Sequence, residues 1–404
     1  MFDTNTIPAN ISDLIDHTAA VQQQPQVVDT TSIDEAIERT EEQTLAEREH
    51  QARMRATGRG GVLARIIERG QRDSAPALER ILNEVPQDML VGAKAIGWSV
   101  SHQNKLQPVG VTIGGNTYSV HPHAFGQAAS RYDVPKRYLD KLLQRADWSR
   151  DLASATLNTH AQNDTGKMLV RTFKGKIRAF LSDRYRRIDS RPLLVAFVEA
   201  IKDCGMQVVD ARCTDVRLSV RAVFPQLVDI HGDPNLFGIE WVNSDYGAGK
   251  HEVRVFFLRT ACLNGMTGEA VESQVHLGSR VSADVKLSKD TLELDTATLV
   301  SAMGDIVRDA CSQPKRKATI ERVRKAAGER IELGDHLPSA LRRALSKQEQ
   351  DRMRDLFDSS EAVMLPPAPT TFRLSNVLSW MANTASSTDR ALELQSLAGQ
   401  VAGI

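Results

Sequence analysis

The sequence is short of several things, and each shortage excludes a class of protein. It has four cysteines in 404 residues, at 204, 213, 262 and 311. They are too few and too scattered for a disulfide framework, and no CxxC pair suggests zinc. There is no run of about 18 apolar residues, so no membrane-spanning helix is expected. The opening MFDTNTIPANISDLIDHT lacks the basic start and apolar core of a secretory signal, which points to a cytoplasmic protein. Neither sign of charge is in excess: 51 Lys+Arg face 51 Asp+Glu, so the whole chain is not a basic coat for a polyanion. What is present, 41% hydrophobic and 25% charged residues, is the composition of an ordinary globular protein with a sizeable core. The length suggests roughly two to three folded units.

Charge is balanced overall but uneven locally. Residues 1–57 carry eleven acidic groups against four arginines, a net of −7, with a Gln-rich run at 22–26 and few large apolar residues. Such a segment cannot bury enough surface to offset its ordering entropy, so a disordered acidic arm is expected. Ser32 with Glu35 forms a capping-box signature for a helix to about Thr57, but its apolar face is thin. Gly58-Arg59-Gly60-Gly61 breaks the chain. Residues 58–108 then read as two short amphipathic pieces, around Val62–Arg69 and Ala75–Asn83, and a linker.

From Val109 to about residue 285 the pattern is that of an α+β core. Gly114-Gly115-Asn116 separates two short strands, and Lys174-Gly175 separates two more. Between them, His121–Phe125 leads into a helical hairpin over about 123–132 and 135–146, with Pro135 opening the second helix. Strict alternation over 176–181 would put Ile177, Ala179 and Leu181 on one face and Lys176, Arg178 and Phe180 on the other. Ser190 caps a helix that Gly205 ends, and Val216, Leu218, Val220, Ala222 and Phe224 alternate with Arg217, Ser219, Arg221 and Val223 as a strand. A further hairpin turns around 245–249. Residues 286–362 read as helical, 363–370 as a Pro-rich linker and 371–404 as a helical tail. The fold class expected is therefore α+β, a central, mostly antiparallel sheet with packed helices, flanked by the acidic arm and a helical C-terminal region.

The sharpest chemical signal is basic. Residues 165–191 hold nine cations against two acids, a net of +7: Lys167, Arg171, Lys174, Lys176, Arg178, Arg184, Arg186, Arg187 and Arg191, with Phe173, Phe180 and Tyr185 interleaved. Cations with rings between them suit single-stranded nucleic acid, since phosphates take Arg and Lys while bases stack on aromatics. Arg217 and Arg221 extend the same face if the sheets align. The competing explanation is a solvated strand face whose arginines pair with acids from elsewhere. The helical hairpin offers Lys136, Arg137, Lys141 and Arg145 to a backbone, although Tyr138, Leu139, Leu142 and Leu143 also give it a packing face. Lys315-Arg316-Lys317 is a second basic cluster, balanced by Glu321, Glu329 and Glu332.

Catalytic sets are weak. His121 and His123 have no obvious third metal ligand, and the spacing of Cys262 and His276 forces no thiol–imidazole pair. Gly247-Ala248-Gly249-Lys250 lacks the leading glycine and the following Ser or Thr of a phosphate loop. No catalytic residue, metal or cofactor is assigned.

Three stretches together resemble a known family: Tyr118–Phe125 running on to Val134–Leu139, Leu181-Ser182-Asp183-Arg184-Tyr185-Arg186-Arg187-Ile188, and Arg259–Met266 followed by His276. Their order is similar to that of the phage/plasmid-like proteins labelled domain of unknown function 932, over roughly residues 109–285. The tail, Ser375–Gly403, resembles that family's end. The resemblance implies a mobile genetic element in a bacterial cytoplasm and a context of DNA maintenance, with no activity attached. The basic hairpin followed by a helix is also loosely similar to the core of phage single-strand annealing proteins, which would suggest a homo-oligomer. The reading drawn from all this is a nucleic-acid-binding protein, favouring single-stranded DNA, acting without catalysis. Its alternatives are a mobile-element factor that binds host proteins and an enzyme using Cys262 or the His121/His123 pair.

Overall fold

The computed structural model describes residues 59–103, 109–145, 147–260, 264–274, 288–333, 337–359 and 365–404. The acidic arm, Cys262 and His276 lie outside these. Among the described residues no helix is long and apolar enough to cross a membrane.

The chain is α+β, with two mostly antiparallel sheets, and the first described element is a single helix, α1 (Arg59–Asn83), where sequence punctuation suggests two short pieces. Pro76 lies inside α1 without ending it. Gly70 lets the helix sit directly on the strand β7 (Gln207–Cys213): a Cβ there would stand 2.3 Å from the Val209 carbonyl oxygen. The stretch after α1 is no linker. It supplies β1 (Gln87–Gly92) and β2 (Ile96–Val100), the two edges of the first sheet.

That sheet grows from two hairpins, β3 (Val109–Ile113) with β4 (Asn116–Val120), and β5 (Lys167–Phe173) with β6 (Lys176–Ser182). Gly114 and Gly115, and likewise Lys174 and Gly175, all have positive φ, between 49° and 82°. This is the two-residue turn whose twist matches the strands it joins. The strand order is β1-β5-β6-β4-β3-β2, and the β4–β6 pair alone is parallel. Between β4 and β5 the chain runs through α2 (Pro122–Arg131), α3 (Lys136–Gln144) and α4 (Asp147–Asn163). These helices bury Phe125, Leu139 and Leu157 with Trp98 and Phe180 from the sheet side. The polar-looking α4 is missed from sequence because the residues it buries, Ser149, Arg150, Ala153, Leu157 and Ala161, are mostly small or polar.

The second sheet is wholly antiparallel, in the order β11-β10-β9-β8-β7. It comprises β8 (Leu218–Ile230), β9 (Asp233–Asn243), β10 (His251–Arg259) and β11 (Asn264–Gln274). Alternation places Phe237, Ile239 and Trp241 on one face of β9 and Leu236 on the other. At one end the first face is covered by α5 (Ser190–Asp203) and α6 (Lys289–Ala310). At the other it is covered by α7 (Gln313–Gly328), α8 (Ser339–Ala344), α9 (Lys347–Asp358), α10 (Thr371–Ala382) and α11 (Thr388–Ala402). Ile67 of α1 packs on the opposite face with Val223, Phe256 and Leu258. The tail is thus built onto the sheet: Gly399 of α11 lies where a Cβ would stand 2.0 Å from the Thr267 carbonyl oxygen.

Two local boundaries differ from the sequence reading. Asp189, not Ser190, is the N-cap of α5, because the Ser190 hydroxyl and amide both donate to Asp245. Within the stretch 286–362 that reads as helical, the chain breaks at Leu345, where Ser346 and Glu349 form a capping box that starts α9.

Candidate nucleic-acid interface

The predicted cationic face on β5 and β6 is not a face. Pairing between the two strands skips Arg178: Arg171 lies opposite Ala179, but Thr172 lies opposite Ile177. The bulge puts one extra residue into β6, and an extra residue inverts the alternation beyond it. Ile177 and Phe180 therefore share the helix-covered core, while Ala179 and Leu181 turn to Tyr246. Phe180 is 5% exposed and lies 5.4 Å from Trp98, ring centre to ring centre, so it offers no stacking surface to a base.

Asp189 apart, the acids that these arginines meet come from outside residues 165–191. Arg171, 1% exposed, donates to Asp88 at 2.7 Å, to Asp189 at 2.6 Å and to the Asp245 carbonyl at 2.6 Å. Arg178 donates to Glu84 at 2.5 Å and to the Asp215 carbonyl at 3.0 Å, with its guanidinium over the Phe173 and Tyr246 rings. Arg186 is buried against Asp295, Arg187 reaches Asp88, and Lys176 reaches Asp215 at 3.5 Å. Arg217 pairs with Asp389 of α11. Arg221 is enclosed in the second sheet by Glu240, Asp210 and Gln395, over the Phe256 ring. Burial pushes the Glu240 carboxyl up, but Arg221 and the Ser219 hydroxyl outweigh it and hold the group below the usual carboxylate range. Tyr185 and Arg191 are half-buried. Of the thirteen predicted positions, Lys167, Lys174, Arg184 and Arg187 remain exposed, and Lys167 and Lys174 sit at opposite ends of β5.

These ion pairs join α1, the first sheet and the loops of the second. Asp215 gathers Arg80 at 2.7 Å, Lys176 and His121. Asp245, pushed up to about 6 mainly by burial, ties the loop after β9 to Ser190. The histidines are spoken for as well. His121 caps α2 by accepting from the His123 amide at 3.1 Å, and burial beside Lys176 pushes its imidazole down to about 4, so it is neutral. The ring Nε2 of His123 meets the Tyr246 carbonyl at 3.0 Å. The two imidazoles have different partners, and among the described residues no group of three or more His, Cys, Asp or Glu is placed to hold a metal ion.

The helical hairpin is different. Asp133, at φ 53°, turns the chain between α2 and α3, and α3 packs by Leu139 and Leu142. Its other side shows Arg137, Tyr138, Lys141 and Arg145, all exposed. Arg137, Lys141 and Arg145 recur every four residues, so they form one stripe. They make no ion pair among the described residues, whereas Lys136 is held by Asp140 at 2.7 Å. The Ser149 hydroxyl and the Arg150 guanidinium bond to the Leu142 and Leu143 carbonyls, which fixes the first turn of α4 against the end of α3. Trp148, in that turn, is 65% exposed, and Tyr138 is 46% exposed. The nearby acids Asp147 and Asp151 contact His102 at 3.3 and 3.1 Å. Sequence flags the cations of α3 but assigns Tyr138 to its packing face, and the structure turns that ring outward. Trp148 carries no sequence signal, because nothing local tells an exposed ring from a core aromatic.

The chain matches no protein-family model, no curated protein and no solved structure.

Proposed function

We propose that the protein binds single-stranded nucleic acid through the exposed side of α3 and the first turn of α4, as a binding surface rather than a catalytic one. The observation that carries this is Trp148: a large ring left two-thirds in water in the turn that follows α3, a helix whose exposed side holds a second ring and cations with no ion pair among the described residues. Exposed apolar patches of that kind mark contact sites. Single-strand binders combine the same two elements, cations that track phosphates and rings that take bases on their faces. Arg137, Lys141 and Arg145 would neutralise the backbone while Tyr138 and Trp148 stack. The mobile-element context implied by the family resemblance fits a DNA-maintenance role for such a surface.

Intrinsic fluorescence tests the proposal directly, because Trp98 and Trp241 are buried, Trp380 is half-buried and Trp148 is the exposed tryptophan. Single-stranded DNA, duplex DNA and RNA are each titrated from about 50 to 200 mM salt. The expected result is saturable quenching of the solvent-facing emission, strongest with a single strand. Trp148→Ala should weaken binding by about 1–3 kcal/mol. Arg137→Ala/Lys141→Ala/Arg145→Ala should reduce the logarithmic salt slope by about two. Unquenched emission at the lowest salt, or affinity indifferent to both variants, rejects it.

A second reading rests on one observation, that Leu152 is 41% exposed one turn along α4 from Trp148. An apolar i, i+4 pair suits a protein partner, and that reading requires partner binding that salt does not erase.

A further inference from the structure

Three sulfur atoms from two distant segments meet where α5 and α6 end. Cys204 is the C-cap of α5 and Cys311 the C-cap of α6. Met206 follows Cys204 by two residues, across Gly205 at φ 69°. The Cys311 Sγ stands 3.1 Å from the Met206 Sδ, and Cys204 packs against the buried cluster that holds both. Met206 is 1% exposed and Cys311 9%, in a wall that includes Ile201, Val307 and Ala310. Cys204 is half-buried, which leaves the cluster one side open to solvent.

The donor set decides which ligand fits. Thiol and thioether sulfurs are soft donors and favour monovalent copper over hard cations. Structural zinc takes four Cys, His or carboxylate ligands, a set that is not assembled among the described residues. Both α5 and α6 bring their carbonyl ends to the cluster, and the negative ends of their dipoles work against an uncompensated thiolate, whereas reactive cysteines sit beside helix N-termini or cations. Of the nearby cations, Arg308 is turned to Asp305 and Asp203, and Arg316 lies over the Phe224 ring.

We infer that Cys204, Met206 and Cys311 form a site for Cu(I), bound by two thiolates and one thioether. Binding exchanges the two thiol protons, which pass to solvent, for the ion, and no electron is transferred.

The test is an anaerobic titration of the reduced full chain with Cu(I) against a chromophoric bicinchoninate competitor. It is run in a Cys213→Ser/Cys262→Ser background, so that no other thiol contributes. One equivalent should be withdrawn from the competitor, with release of two protons and a raised thermal midpoint, since the ion binds only the folded state. Cys204→Ser and Cys311→Ser should each lose that equivalent. If Cys311→Ser does not fold, the half-buried Cys204→Ser carries the test. Met206→Leu keeps the volume and should weaken binding by at least about tenfold, the loss typical even of an outer-shell partner. No withdrawal by the parent, undiminished withdrawal by Cys204→Ser, or a Met206→Leu variant equal to the parent would each overturn the assignment.

Discussion

The strands β5 and β6 and the helix α3 are both rich in cations, and they spend them in opposite ways. On the strands and in the loop after β6, Arg171, Arg178 and Arg186 are enclosed by Asp88, Glu84, Asp189 and Asp295. On the helix, Arg137, Lys141 and Arg145 stand in solvent. The denser run is the one that is used up inside the protein. A net charge counted over a window says nothing about the acids that folding brings in from other segments. It is the unpaired cation beside an exposed ring, not the cation count, that distinguishes a surface able to meet a partner.

This contrast can be broken or sharpened by substitution. The largest effect is expected at the pair sealed most completely. Arg221→Met leaves Glu240, 0% exposed, without its cation and should cost about 3–5 kcal/mol in urea unfolding. Arg221→Met/Glu240→Leu should recover most of that loss, because removing both charges removes the uncompensated one. Arg171→Met should come next, at roughly 3 kcal/mol, since Asp189 and Asp88 can regain water. A loss below about 1 kcal/mol would mean that the first-sheet network is solvated after all.

The Arg390–Glu349 pair, about a quarter exposed on each side, stands between the two extremes. The hydrogen bond from Arg390, aided by Ser346, holds the Glu349 carboxyl down at about 2. A depressed carboxylate stabilises the fold at pH above its unfolded value of 4.5 and loses that contribution as pH falls toward 2. Glu349→Gln should therefore be less stable than the parent at neutral pH and converge with it in acid, as read by thermal melts across that window. The smallest effect is expected on α3, where Arg137→Ala, Lys141→Ala and Arg145→Ala should each stay within about 0.5 kcal/mol of the parent. A greater loss would show that the stripe is structural and would take away its claim to be a binding surface.

How far the sequence could be read differs from element to element. The turns at Gly114-Gly115 and Lys174-Gly175 were legible, because a two-residue loop with positive φ admits few residue types. The stripe of Leu193, Leu194, Phe197 and Ile201 in α5 and the alternation of Leu218, Val220 and Ala222 in β8 were legible because each has a period that only one backbone satisfies. Helix α4 was not, since a helix that buries serine, arginine and alanine leaves no apolar period to detect. The bulge at Arg178 was not either, and one unseen residue was enough to turn Phe180 from a stacking ring into a core residue.

The sequence alone determined the turns, the periodic helices and strands and the α+β class, because these follow from backbone limits acting over a few residues. The tertiary structure decided which cations are free. Asp88, Asp215 and Glu240 reach Arg171, Lys176 and Arg221 only once the sheets have assembled. A charge in water costs little, but a buried one must find its partner, so exposure and pairing are fixed by long-range packing rather than by neighbours in the chain.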